Sequence, residues 1–242
     1  SNIYGAMKCL IRLLPLIFLI SFCRDFAYAQ SIRQLSNRDG LSNSAVLSLC
    51  QDSQGMIWMG TCDGLNTFDG KNISLYQFPE GSGRQLSGNL IEDLLVMEGD
   101  IMWIRTNYGL DRLDIRGNSI LDFDDFMGAI WCCKSPTGIF YVLKDDGSLY
   151  YFAERNQTFH RLDVPLLDFN QVLSFTVDKN NVLWIFGKEC STQSFQVMEK
   201  DGDVISIHPV ENFGYSGNLV WAFAEEEAAY LIDETYDLYE YD

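Results

Sequence analysis

The stretch that decides the fold runs from Asp52 to Gly70 and reads DSQGMIWMGTCDGLNTFDG. Its first four residues have the composition of a tight turn, with a capping carboxylate and a glycine free to take a positive φ. A short apolar strand with a central tryptophan follows, and Asp63-Gly64 then turns the chain into another strand. Asp69-Gly70 is a strong two-residue hairpin signal. The stretch therefore predicts a meander of short strands and not a catalytic motif.

The same pattern recurs along the chain. Further copies align on one aromatic residue at a spacing of roughly 40 residues, and the third and fourth copies are degenerate. The anchoring aromatics are Trp58, Trp103, Tyr141, Trp184 and Tyr230. A period of this length with four short strands per unit is typical of a β-propeller, in which we expect each aromatic to fill the space between neighbouring blades. The sequence thus predicts an all-β propeller of four-stranded antiparallel blades.

The predicted propeller domain covers residues 30–242 and holds about four and a half blades. Their predicted limits are 46–78, 90–126, 129–164, 172–210 and 219–242, the last one incomplete. The stretch 31–41 resembles an outer strand, and we expect it to close the ring by pairing with the last blade. Five blades lie near the lower limit for closure, so a fragment of a larger propeller is expected. A short ring closed by the N-terminal strand is the alternative.

Residues 1–29 are predicted to be upstream residues followed by a secretory signal peptide. Lys8 and Arg12 precede the apolar run 13–23, and Ala27-Tyr28-Ala29 fits the small-x-small cleavage rule. The run is too short to span a bilayer permanently, although an uncleaved anchor is the alternative. We therefore expect an exported, periplasmic domain.

Composition narrows the classes of partner. The net charge is -17 at pH 7 and the sequence pI is near 4.3. Nucleic acids and anionic membranes are bound through clustered Lys and Arg, so direct contact with either is not expected. The cysteines show no CxxC or metal-type spacing and are predicted to be buried small apolar residues, with a disulfide left open by export.

A family resemblance emerges over Gly40–Gly70, which reads GLSNSAVLSLCQDSQGMIWMGTCDGLNTFDG. This run resembles the two-component regulator propeller repeat: Gly-Leu, Ser-Asn, an apolar strand, Asp-x-x-Gly, Trp, Gly-Thr, Gly-Leu, an aromatic and Asp-Gly. The second copy keeps Trp103 and Gly109-Leu110 but has Arg105-Thr106 in place of Gly60-Thr61.

The resemblance implies a role in signalling. Such repeats form the periplasmic sensor region of hybrid two-component system histidine kinases. A sensor of oligosaccharide that controls transcription of glycan-use genes is therefore expected. The resemblance also implies a homodimer through the full-length protein, and a membrane connection only through a downstream segment.

Residues suited to catalysis are few. His160 and His208 fall at fourth-strand positions, where a lone histidine is more often a surface residue than a catalytic one. No metal-ligand series or phosphate cradle is present, so no catalytic residue, metal or cofactor is predicted. The alternative is an exported propeller lyase or hydrolase acting on a carbohydrate-like substrate. It would need a His, Tyr or carboxylate pair at the mouth of the channel.

A binding surface is the more plausible site. In a propeller, the loops into each inner strand and the loops between second and third strands share one face around the channel. Amides, carboxylates, an arginine and aromatic rings in or near these loops suit a sugar. The candidates are Asn43, Asp63, Arg105, Asn107, Tyr108, Trp131 and Asp145, with Asn89 and Asn218 in the same loops. Turn chemistry is the alternative for each Asn and Asp, and a purely structural propeller is a third interpretation.

Overall fold

The computed structural model describes residues 32–78, 84–164, 172–187, 192–210, 219–224 and 229–241. The predicted signal peptide, Cys190 and Asn218 lie outside these residues. Within them, no helix is long and apolar enough to cross a membrane. The four cysteines that they include, Cys50, Cys62, Cys132 and Cys133, are free thiols.

The described residues form five antiparallel sheets, each built from strands that are consecutive in the chain. The first blade has strands β1 to β4, which are Val46–Gln51, Ile57–Thr61, Gly64–Phe68 and Ile73–Leu75. The second has β5 to β8, which are Ile91–Met97, Ile101–Thr106, Gly109–Asp114 and Ser119–Phe123. The third has β9 to β12, which are Ala129–Lys134, Phe140–Lys144, Leu149–Ala153 and Thr158–Arg161.

The fourth blade has β13 to β16, which are Val172–Val177, Val182–Gly187, Gln193–Lys200 and Asp203–Pro209. The fifth has β17 to β19, which are Leu219–Ala224, Ala229–Asp233 and Leu238–Tyr241. The prediction of an all-β propeller is confirmed, but the estimate of four and a half blades is corrected to five. The fifth blade has three described strands.

Apolar side chains fill the spaces between successive blades. One cluster joins the first and second blades around Trp58, Leu65 and Ile91, and another joins the second and third around Trp103 and Phe140. Two more join the third to the fourth and the fourth to the fifth. The blades therefore stack in chain order, and the core lies between sheets, as close packing of flat, two-faced sheets requires.

A hydrogen-bonded pair explains the spacing of Asp and Trp in the opening stretch. The Asp52 Oδ1 atom accepts the backbone N–H groups of Gln54 and Met56, each at 3.0 Å. The other carboxylate oxygen accepts the indole Nε1–H of Trp58 at 3.0 Å. Asp178 and Trp184 repeat the arrangement in the fourth blade at 2.9 Å. One carboxylate thus closes the β1–β2 turn and satisfies the buried tryptophan.

In the second and third blades, the anchoring aromatic side chain is held without an Asp partner in the preceding turn. In the second blade Met97 occupies the position of the Asp, and the Trp103 Nε1 atom is buried without a hydrogen-bond partner. Its ring is stacked on Phe140 with centroids 4.1 Å apart. In the third blade the hydroxyl of Tyr141 donates to Glu199 of the fourth blade at 2.5 Å. Burial and the nearby Glu199 raise the pKa of this phenol well above its usual value.

The stretch 31–41 is predicted to be a closing strand, but its described residues, 32–41, form no strand. Asn37–Asp39 forms a 3-10 turn capped by Ser36 and ended by Gly40 at φ 111°. The Ser-x-x-Asp sequence builds a capping box, because the Asp39 carboxylate accepts the backbone N–H of Ser36 at 3.0 Å. These local bonds stabilise the turn in competition with an extended strand.

Candidate functional site

The candidate site lies at one end of the blades. This end carries the loop between the second and third strands of each blade and the loop that leads into each first strand. We call this end the loop face. In the first three blades it comprises residues 42–45, 62–63, 84–90, 107–108 and 145–148. The turns between β1 and β2, and between β3 and β4, lie at the opposite end of the first blade.

Buried polar bonds hold the loop face of the first blade. The backbone N–H of Ser42 donates to Asn66 Oδ1 at 3.0 Å, and the hydroxyls of Ser42 and Thr61 are 2.9 Å apart. Thr61 and Asn66 are fully buried. Since both are satisfied by partners, they fix the loop that enters β1 and are not free to bind a ligand.

The second blade repeats this cluster. The backbone N–H of Ser87 donates to Asp111 Oδ2 at 2.9 Å, and the hydroxyls of Ser87 and Thr106 are 2.7 Å apart. Sequence reasoning missed both clusters. The available signal is a Ser that precedes the Gly-Thr or Arg-Thr pair by the same number of residues in both copies.

Four predicted residues are brought together where the first two blades meet. The Asn89 Nδ2 atom donates to Asp63 Oδ1 at 3.2 Å, and the backbone N–H of Gly64 donates to the Asn89 carbonyl at 2.6 Å. Asn107 and Tyr108 lie directly against Gly88, where an added Cβ would fall 2.4 Å from Asn107 Oδ1. Tyr108 is 58% exposed. The loop 87–90 therefore connects an exposed carboxylate to an exposed aromatic ring.

Two other candidates have local turn roles. The Asn43 Oδ1 atom accepts the backbone N–H of Ala45 at 2.8 Å, which is an Asx turn. Asp145 is exposed on the third blade, and its carboxylate lies against Gly128. Neither makes a described hydrogen bond to the Asp63–Asn89 pair.

Arg105 and Trp131 lie in strands and not in loops. Arg105, in β6, forms an ion pair with Glu92, which the β-bulge in β5 places on the same side. Trp131 is half-buried in β9 and packs against the apolar cluster between the third and fourth blades. Arg105 thus has a partner that the sequence did not indicate, and Trp131 contributes to packing between two blades.

The inner strands next to Arg105 carry titratable groups with shifted pKa values. Burial raises the pKa of Asp93, and the charge of Arg105 opposes the shift. Burial also raises the pKa of the Cys132 thiol, with a further contribution from Asp93. For Cys50, burial and then Asp52 and Asp93 raise the pKa to about 12. These thiols are protonated at neutral pH and are poor nucleophiles.

The described residues contain no group of three or more His, Cys, Asp or Glu that could hold a metal ion. His160 is stacked on Tyr151 with ring centroids 5.4 Å apart, and its Nε2 atom is 3.1 Å from Asn156 Nδ2. Neither contact pairs this imidazole with a carboxylate or a nucleophile, which a general base requires.

Comparison with known proteins assigns part of the first blade to a repeat family. Residues 40–63 match the sequence model of the family described as "Two component regulator propeller". The chain carries a two-component regulator propeller repeat. The match begins at Gly40, includes the Asp52–Trp58 pair and ends at Asp63, so it covers the structural pair and two candidate ligand residues, Asn43 and Asp63.

A curated relative supports the same assignment of the repeat. The chain is 38% identical over 65 residues to histidine kinase P4 of Formosa agariphila. This match covers 25% of the chain and 5% of that kinase, so the matched segment spans about a twentieth of the length of this relative.

Solved structures share the fold of this repeat-containing chain. The extracellular domain of a protein assigned as a hybrid two-component system from B. thetaiotaomicron has a TM-score of 0.59 at 19% identity, covering 87% of this chain and 35% of that one. A one-component system from the same organism gives a TM-score of 0.58 at 16% identity, covering 81% and 28%. Virginiamycin B lyase from Staphylococcus aureus gives 0.56 at 12% identity, covering 87% and 72%. At these identities the likeness shows the fold alone.

Proposed function

We propose that this chain is a non-catalytic sensor region of a two-component signalling protein, exported to the periplasm, which binds an oligosaccharide and controls transcription of glycan-use genes. The observation that carries the proposal is the repeat at residues 40–63, because its family is described by two-component regulation. The fold shared with extracellular domains of such systems and the predicted signal peptide support the same reading. Dimerisation and a kinase partner belong to the whole protein and are part of the proposal.

The loop face supplies the chemistry for a sugar. Hydroxyl groups both donate and accept hydrogen bonds, and Asp63, Asn89 and Asn107 offer acceptors and donors within one connected loop group. The exposed ring of Tyr108 offers an apolar face on which the C–H groups of a pyranose ring can pack. Without a paired base or nucleophile in the described residues, binding is favoured over turnover.

A larger ring is the second part of the proposal. Leu47 and Leu49 on β1 are 49% and 64% exposed, and Trp221 on β17 is 53% exposed. In the middle blades the corresponding apolar clusters are covered by the next sheet. We infer that further blades pack on the first and fifth sheets, which would bury these side chains.

Calorimetric titration with neutral oligosaccharides of defined length tests the binding role. Loss of the Tyr108 ring in Tyr108→Ala is expected to weaken binding by about threefold to tenfold, as for other aromatic contacts. Met198→Ala is the matched control, since Met198 is 56% exposed but lies in β15, away from the loop face of its blade. Absence of binding by every oligosaccharide, or equal affinity of the Tyr108→Ala variant, would contradict the proposal.

A further inference from the structure

A cavity lies at the opposite end of the blades from the loop face. We call it the turn groove. It has a volume of about 630 Å³, within the range of small-molecule sites. Turns of the first blade form one wall, and the end of β7 with the β7–β8 turn forms the other. Its described lining residues are Asp52, Gln54, Gly55, Met56, Trp58, Thr67, Asp69, Tyr76, Gln77, Ile115 and Asn118.

Both walls of the turn groove are held by hydrogen bonds. The hydroxyl of Tyr76 donates to Asn118 Oδ1 at 2.8 Å, which links the two blades across the groove. Beside it, Asp100 accepts the backbone N–H of Ser53 at 2.9 Å and the Nε–H of Arg116 at 2.7 Å. The cavity is therefore a fixed space between two blades and not a gap between independent loops.

Both walls of the groove include residues with unused hydrogen-bonding groups. In the described part of the chain, the Asn118 Nδ2 and Gln54 Nε2 atoms donate no hydrogen bond. The Asp69 Oδ2 atom accepts only a long bond of 3.4 Å from Asn72. The residues that line the groove thus include both donors and an acceptor, which is the combination that hydroxyl groups need.

The charge of the described lining disfavours two other classes of ligand. Its residues include the carboxylates of Asp52 and Asp69 but no Lys or Arg, which disfavours an anion, although the Arg84 guanidinium donates to the Asn118 carbonyl at 2.6 Å beside them. A simple ammonium ion needs only acceptors and would leave the Gln54 and Asn118 donors unused. A neutral hydroxyl-rich molecule uses both kinds of group.

Apolar surface completes the match to a sugar ring. Tyr76 is fixed edge-on against Trp58 and Phe78, with ring centroids 5.1 and 5.3 Å away. Met56 and Ile115 are half-buried members of the same cluster and line the groove. These side chains can pack against the C–H face of a pyranose while the amides and carboxylate bind its hydroxyls.

We propose that the turn groove binds one or two units of a neutral saccharide. It is a second carbohydrate site, separate from the loop face, and it rests on the proposed function only for its role in sensing. Occupancy would tie the first blade to the second through their turns, because ligand contacts to Asn118 and Gln54 bridge the two blades.

Backbone amide NMR of the 242-residue chain tests this site separately from the loop face. Cellobiose, maltose, laminaribiose, mannobiose and lactose are added one at a time to about 10 mM, tenfold above a Kd of about 1 mM. At least one should shift the amides of Gln54, Gly55 and Asn118. Asn118→Asp removes the Nδ2 donors, keeps an oxygen for Tyr76 and suits the positive φ of 47°. It should weaken binding at these amides by about fivefold.

The outcomes separate the two proposals. Met198→Ala, which changes an exposed residue outside both candidate sites, is the matched control and should leave binding at the groove amides unchanged. Shifts confined to the loop face would overturn the turn groove and leave the proposed function standing. Shifts confined to the groove would support it and count against the loop face, and shifts at neither end would overturn both. Equal affinity of a folded Asn118→Asp variant, judged by its thermal transition, would also overturn the site.

Discussion

The Asp52–Trp58 pair predicts a large loss of stability for a single substitution in a turn. Asp52→Ala removes one acceptor from a buried indole and two from backbone N–H groups, all at 3.0 Å. Trp58 is 4% exposed and its N–H has no other described acceptor, so leaving this donor unpaired costs about 1 to 3 kcal/mol. Loss of the turn cap adds about 1 kcal/mol. We expect the free energy of unfolding to fall by about 3 kcal/mol.

Urea denaturation followed by far-ultraviolet circular dichroism measures this loss without relying on tryptophan emission. The cycle of Asp52→Ala, Trp58→Phe and the double variant isolates the hydrogen bond from the indole to Asp52. Phe has no N–H group, so Trp58→Phe leaves no donor unpaired when Asp52 is removed. Asp178→Ala should reproduce the loss in the fourth blade, where the bond to Trp184 is 2.9 Å. A loss below about 0.5 kcal/mol, or a cycle with no coupling, would refute the view that this pair stabilises the blade.

Three further predictions concern packing, pH and thiol access. Gly60→Ala should lower the thermal midpoint, at a cost of about 1 to 3 kcal/mol, because its Cβ would lie 2.6 Å from Ile91 Cγ2; an unchanged midpoint would argue against close blade packing. Hydrogen bonds from Ser53 and Arg116 lower the pKa of Asp100 to about 2. Its contribution to stability is therefore present above about pH 4 and is lost as the pH falls towards 2, and urea titrations of Asp100→Asn should lack this component. Cys133 is buried with a raised pKa, so iodoacetamide should modify it only with unfolding, and rapid labelling of the folded chain would count against the third blade.

The propeller was predictable because the residues that determine each hairpin lie close together in the sequence. Turn residues such as Asp52, Gly55 and Asp69-Gly70 set each hairpin within a few residues, and one aromatic per repeat marks the period. The fifth blade was underestimated because it lacks these markers and keeps little beyond alternating apolar residues around Tyr230.

The site was less predictable because its contacts join residues from different repeats. Asp63 meets Asn89 across a blade boundary, and Arg105 meets Glu92 only because a bulge in β5 turns that side chain. The turn groove likewise depends on Tyr76 of one blade and Asn118 of the next. In the sequence alone, each of these residues is an ordinary turn or strand residue. The spacing of residues along the chain does not give the angle between neighbouring sheets, so it does not show which side chains meet.

The central claim is that this propeller binds an oligosaccharide, and amide chemical-shift mapping with longer neutral oligosaccharides tests it most directly. A binding oligosaccharide should shift the amides of Asp63, Asn107 and Tyr108 in a saturable way, and those shifts should be reduced in Tyr108→Ala. Amides that stay in place at every concentration, in a chain whose spectrum shows a folded β-protein, would contradict the account.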